Sequence, residues 1–234
     1  MTRPLDALHA GRLASATYPG ATGRGVRVAV VDSGVHPGHP HVGVVDPGIA
    51  FDAEGRPADD VVDRLGHGTA VAAAIREKAP EAAIVPVKVF HRELRASADV
   101  LVAAIDWAVA AGVHLINLSL GTTNQAHRLP LGEAVVRAAR AGTMVVSAAE
   151  QPGAVWLPGS LPLAVGVVLD WTLPREEATV EVAMEGAVRR IRVHASGYPR
   201  PIPGVPPERN LKGVSFAVAN ATGLLCLHLS RHAR

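Results

Sequence analysis

The sequence predicts an α/β protein built on a doubly wound, mostly parallel sheet with flanking helices. Apolar runs rich in Val, Ile and Leu recur at 26–31, 83–89, 113–119, 143–148 and 163–169. Helix-like stretches at 68–78, 97–111 and 131–141 fall between most of them. Buried strands alternating with helices are the pattern of parallel crossovers, which leave the strand ends along one edge of the sheet. Asp32, Ser119 and Ala149 fall at such ends, where folds of this kind bind ligands.

Each element has its own signal. The first residues, MTRPLDALHAGRLASA, lack a continuous apolar stretch and read as a short amphipathic helix with Leu5, Leu8 and Leu13 near one face. Val26–Val31 forms the first strand and ends on Asp32, before the Ser33-Gly34 turn. His67 stands at the mouth of the helix that follows, between Gly66 and Gly68. Ser97 is placed to cap the next helix ahead of Asp99, and Gly112 and Gly142 stand where helices stop. Residues 171–210 interrupt the pattern. Thr179–Met184 and Val188–Val193 alternate well enough to pair as a hairpin around Glu185-Gly186, and Pro199–Pro207 reads as an extended surface loop. A last helix begins at about Ser215. The hairpin and loop are expected to belong to one domain spanning 1–234, because the last helix follows them.

Composition excludes several classes. Apolar residues make up 48% of the 234, ample for a core, and aromatics only 3%, so Leu, Val and Ala must do the packing. A formal charge of +2, scattered along the chain, argues against a nucleic-acid partner. No window approaches 18 uninterrupted apolar residues, so no membrane partner is expected. The single cysteine, Cys226, cannot form an intramolecular disulfide and reads as a buried thiol. With no secretory signal visible, a cytoplasmic location is expected.

The chemistry lies in three segments. VAVVDSG (28–34) ends a strand on Asp32, LGHGTAVAAAI (65–75) puts His67 at the mouth of a helix, and LKGVSFAVANATG (211–223) puts Ser215 at the start of another. Alone, each has a plain reading: a turn aspartate, a surface histidine, a helix cap. Together they supply an orienting acid, a base and a nucleophile, which acyl transfer requires. The chain order Asp, His, Ser is that of subtilisin rather than of chymotrypsin or the α/β-hydrolases. A metal reading of His36, His39 and His41 is weaker. Their spacing is no strong ligand pattern, and they follow a turn-rich Pro-Gly-His-Pro context, so they read as a solvated loop.

On these segments the chain resembles the subtilases, the subtilisin-like serine peptidases. The Gly-x-Ser-x-Ala core is kept as Gly213, Ser215 and Ala217, although Val214, Phe216 and Ala219 replace the family's threonine, methionine and proline. INLSLG (116–121) resembles the family's substrate strand, which implies that Ser119, Leu120 and Gly121 pair with a bound peptide. VVSAAEQPG (145–153) resembles the oxyanion segment, which implies that Ala148, Ala149 and Glu150 line the pocket beside the cleaved bond. Gln151 stands where the family's oxyanion asparagine would be, and Glu150 replaces a glycine. Glutamine keeps the amide donor but adds a methylene. The Glu150 carboxylate either fills the pocket or attracts a basic side chain, unless the loop has rearranged and turned it to solvent.

The resemblance implies a three-layer sandwich in minimal form, catalysis by Asp32, His67 and Ser215 with the Gln151 amide at the oxyanion, and no cofactor. The helix after His67 runs on without an Asn- or Asp-rich insert, and His41 takes the place of a ligating aspartate, so no metal is expected at the family's calcium site. There is no room before residue 20 for the inhibitory prodomain of the family, and the chain ends soon after the last helix. Either the domain is minimal or a partner, or self-association, completes it. The expected function is a serine endopeptidase of narrow specificity that processes a precursor peptide. Its rivals are a catalytically impaired subtilase fold that binds a peptide or protein, and an acyl transferase or macrocyclase on the same triad.

Overall fold

The computed structural model describes residues 4–151, 153–186, 188–206 and 209–232. Its strands, in chain order, are β1 (Gly11–Ala14), β2 (Arg27–Asp32), β3 (Ile49–Phe51), β4 (Pro57–Ala58), β5 (Ala83–Lys88), β6 (Leu115–Leu118), β7 (Met144–Gln151), β8 (Ala154–Val155), β9 (Val165–Leu169), β10 (Glu177–Glu185) and β11 (Val188–Ala195). The helices are α1 (His67–Lys78), α2 (Ala98–Ala110), α3 (Arg128–Arg140) and α4 (Val214–His232). All strands join one sheet in the order β1-β10-β11-β9-β7-β6-β2-β5-β3-β4, with β8 pairing on β7. From β11 to β3 every neighbouring pair is parallel, and β1, β4, β8 and β10 add antiparallel pairs.

Period-two alternation sorts the central strands into two cores. Val28 and Val30 of β2 pack with α1 and α4, whereas Ala29 and Val31 pack with α2 and α3. Three layers result. α4 is buried along most of its length, as its all-round apolar sequence requires. It lies close against α1, where Gly223 faces the Lys78 stem, and a Cβ there would come within 3.1 Å of that side chain. Cys226 lies in this layer, fully buried. α2 carries the expected cap: the Val100 amide donates to the Ser97 hydroxyl.

The N-terminal segment departs from expectation. Leu5, Leu8 and Leu13 are all buried in the core beneath α4, but no α-helix carries them. Pro4–Ala7 makes a single 3-10 turn, and Gly11–Ala14 is a strand paired antiparallel with β10. The edge of β10 offers unpaired backbone groups, and satisfying them outweighs a weak helical pattern. Arg189 of β11 secures the turn by donating to the Leu5 and Leu8 carbonyls. The hairpin is β10–β11, with Glu185 opposite Val188, and it continues the main sheet.

Candidate active site

β2, β6 and β7 are adjacent and parallel, so their C-terminal ends share one edge. Asp32 is the last residue of β2 and is fully buried. α1 approaches this strand end closely. A Cβ on Gly68 would lie 2.2 Å from the Gly34 carbonyl and 3.2 Å from Asp32 Oδ1, so only glycine lets the helix seat there. Gly66, at φ +82°, makes the left-handed entry into the helix. His67 is thereby delivered to Asp32, with Nδ1 2.7 Å from Oδ1. Since the carboxylate oxygen can only accept, Nδ1 carries the proton and Nε2 is left as the base.

Ser215 enters from α4. Its hydroxyl donates to the Ser119 carbonyl at 3.1 Å rather than to His67. Asn117 ties the last helix to the substrate strand: it donates to Ser119 Oγ at 2.7 Å and accepts from Thr222 Oγ1 at 2.9 Å. Phe216 packs against the His67 ring, with centroids 5.9 Å apart. The structure thus brings Asp32, His67, Ser215 and Ser119 to one edge.

Asp63, like Asn117, is a participant that the sequence did not reveal. Buried in the loop before α1, it accepts hydrogen bonds from Ser33 Oγ, from the Leu65 and Gly66 amides, and from both the amide and hydroxyl of Thr69. Ser33 Oγ in turn accepts from the Gly68 amide. One carboxylate thereby clamps the turn after Asp32 to the helix bearing His67. Burial works against its charge, but the hydrogen bonds from Thr69, Leu65 and Ser33 prevail and hold its pKa below the ordinary value. For His67, burial disfavours the imidazolium. The bond to Asp32 and the charges of Asp32 and Asp63 outweigh it and hold the pKa above 6.5. The only signal for Asp63 in the sequence is an aspartate four residues before His67.

The pocket segments are arranged less simply. Ala148 and Ala149 are buried, and a bulge at Ala149 shifts the register of β7 on β9. Bulges of this kind re-aim neighbouring side chains. Beyond it β7 runs on and turns back through β8, with Glu150 opposite Val155. Glu150 is exposed, and with Gln151 it borders an open groove walled by Val168 and Trp171. That groove includes neither Ser215 nor Ser119–Gly121. Across the cleft Thr122 pairs with Leu157, and the Gly121 backbone lies against Trp156 and Leu157. Among the described residues, no three His, Cys, Asp or Glu side chains are grouped to hold a metal ion.

With this geometry in view, comparison with known proteins decides the family. The subtilase family model matches residues 23–151, more than half of the chain and inclusive of Asp32, His67 and Gln151. The chain belongs to the subtilase family. Among relatives of this subtilase, the subtilisin of Bacillus pumilus is 28% identical over 228 residues, covering 90% of this chain and 76% of its own. Subtilisin BL of Lederbergia lenta is 35% identical over 144 residues, 58% of this chain and 51% of its own. A subtilisin-like protease of Podospora anserina is 38% identical over 129 residues, of which the match spans only 35% of the relative's length. The protease domain of PatA, a solved structure, superposes with TM-score 0.67 at 25% identity, covering 92% of this chain and 83% of that one. A cold-adapted subtilisin-like serine proteinase gives the same TM-score at 20% identity, covering 91% and 78%.

Proposed function

We propose that this subtilase is a serine endopeptidase of narrow specificity that processes a precursor peptide. The observation that carries the reading is the 2.7 Å contact between Asp32 and His67 beside a serine at a helix start. In this reading a peptide adds as a strand along Ser119–Gly121, and the amide N–H before the scissile bond donates to the Ser119 carbonyl. The Ser215 hydroxyl, released from that carbonyl, turns to His67 Nε2, gives up its proton and attacks. The tetrahedral oxyanion is met by the Ser215 amide and the Gln151 carboxamide, and His67 returns its proton to the leaving amine. Water then repeats the sequence on the acyl-enzyme. Narrow specificity is supported by Trp156 and Leu157, which crowd the cleft beside Gly121.

The Ser215–Ser119 bond also favours a second reading, a peptide-binding module whose nucleophile is held away from its base. Incubation with a randomised peptide library separates the two. Cleavage that disappears in both Ser215→Ala and His67→Ala supports the peptidase. Peptides retained intact by the unaltered protein support the binding module. Transfer of the acyl group to an added amine would show as amide products from the same triad.

A further inference from the structure

Three histidines and an arginine line a cavity of about 330 Å3 between the loop after β2, the first turns of α1 and the segment before α4. It shares no residue with Ser119–Gly121 or Ala148–Gln151, yet it touches Gly66, the neighbour of His67, and Leu211, four residues ahead of Ser215. If the peptide before the scissile bond lies along Ser119–Gly121, this flank receives the half that follows the bond.

The donors are fixed by hydrogen bonds. Half-buried Arg200 gives one guanidinium N–H to the His41 carbonyl at 3.0 Å and forms no ion pair with any described residue. His39 Nδ1 accepts from the His41 amide at 3.2 Å, which puts its proton on Nε2 as a second donor. The His36 ring contacts the Pro37 carbonyl through Nδ1, and the His39 and His41 rings meet edge to face at 5.5 Å. Among the described residues, the charged and titratable groups lining the cavity are His36, His39, His41, Arg200 and Asp63. Of these described residues Asp63 is the one carboxylate lining the cavity, and its oxygens are already taken by Ser33, Leu65, Gly66 and Thr69. Exposed Ile202 and Leu211 supply an apolar rim. One cationic donor, a neutral imidazole N–H, room for a side chain and an apolar lip suit an acidic residue.

We propose that this cavity recognises the carboxylate of an Asp or Glu residue in the leaving-group half of the peptide substrate. The proposal rests on the peptidase reading for its placement, but not for its chemistry. Burial, Arg200 and His39 hold the His41 pKa below its ordinary value, and a bound carboxylate would act in the opposite direction.

Two measurements test it. Histidine imidazole signals are titrated by NMR with N-acetyl-aspartyl amide and with N-acetyl-asparaginyl amide. The aspartyl probe should raise the pKa of His41, the asparaginyl probe should not, and Arg200→Gln should remove the difference. Matched peptides bearing Asp or Asn at each of the first positions after the cleaved bond are then compared. At one position Asp should be favoured about tenfold in kcat/KM, a ratio that falls towards one in Arg200→Gln and in His39→Gln and holds in Arg140→Gln on the far helix. Equal responses to the two probes, or an Asp preference untouched by Arg200→Gln, overturn the proposal. A probe response without cleavage of any peptide keeps the anion pocket and removes the peptidase reading instead.

Discussion

Asp63→Asn tests the clamp behind the triad. The carboxylate accepts five hydrogen bonds at 2.7–2.9 Å, three from backbone amides and two from hydroxyls. Asparagine matches its size but carries an NH2 group in place of one oxygen, so it faces donors on one side whichever way it is turned. A buried donor without an acceptor costs about 1–3 kcal/mol, and losing the charge weakens the remaining bonds. A total near 3 kcal/mol corresponds to a fall in Tm of about 6–12 °C for a chain of this size. Because the Asp63 pKa is depressed, its contribution is present above the ordinary value of 3.8 and lost as pH falls through the lower folded value. Thermal unfolding of both proteins followed by circular dichroism should therefore show a full Tm gap near neutrality that narrows below that value. An unchanged Tm at neutral pH would refute the clamp. A gap that stays constant into acid would assign the effect to packing rather than to charge.

Three further outcomes follow from the site. Gln151→Ala should lower kcat by about 10²-fold with little change in KM, since the amide acts on the oxyanion only in the transition state. Steady-state kinetics on any cleaved peptide reads it, and a change confined to KM would remove Gln151 from that role. The raised pKa of His67 places the rising limb of kcat/KM above pH 6.5, because the base works only when neutral. Its stabilising pairing with Asp32 runs the other way: complete below pH 6.5, lost as pH rises through the folded pKa, so a pH–rate limb well below 6.5 would contradict the pairing. Glu150→Gly should leave selectivity at the residue before the cleaved bond unchanged, given the exposure of Glu150 on β7 opposite Val155, and a loss of Arg or Lys preference would place Glu150 in the pocket after all.

The central sheet was legible because its strands are apolar runs buried on both faces, and Val28–Val31 needs no partner information to be read. The Asp32–His67 contact was equally open, since Gly68 marks where a helix must come close to a strand end and Gly66 the left-handed entry into that helix. β1 was not, because its pairing with residues some 165 positions away leaves no local trace beyond Leu13. Asp63 and Asn117 were missed for a related reason. Each is a single polar residue whose role comes from partners gathered by the fold, Ser33 and Thr69 for one, Thr222 for the other. Segment 148–155 shows the limit most sharply. Its letters align with an oxyanion loop, but the bulge at Ala149 and the return through β8 decide where Glu150 and Gln151 point.

The measurement closest to the central claim is reaction with a fluorophosphonate, followed by mass-spectrometric mapping of the adduct. An assembled triad of Asp32, His67 and Ser215 predicts one stoichiometric adduct on Ser215, lost in His67→Ala and slowed as His67 becomes protonated. Labelling of another residue, or no labelling of the folded protein at any pH, would contradict it.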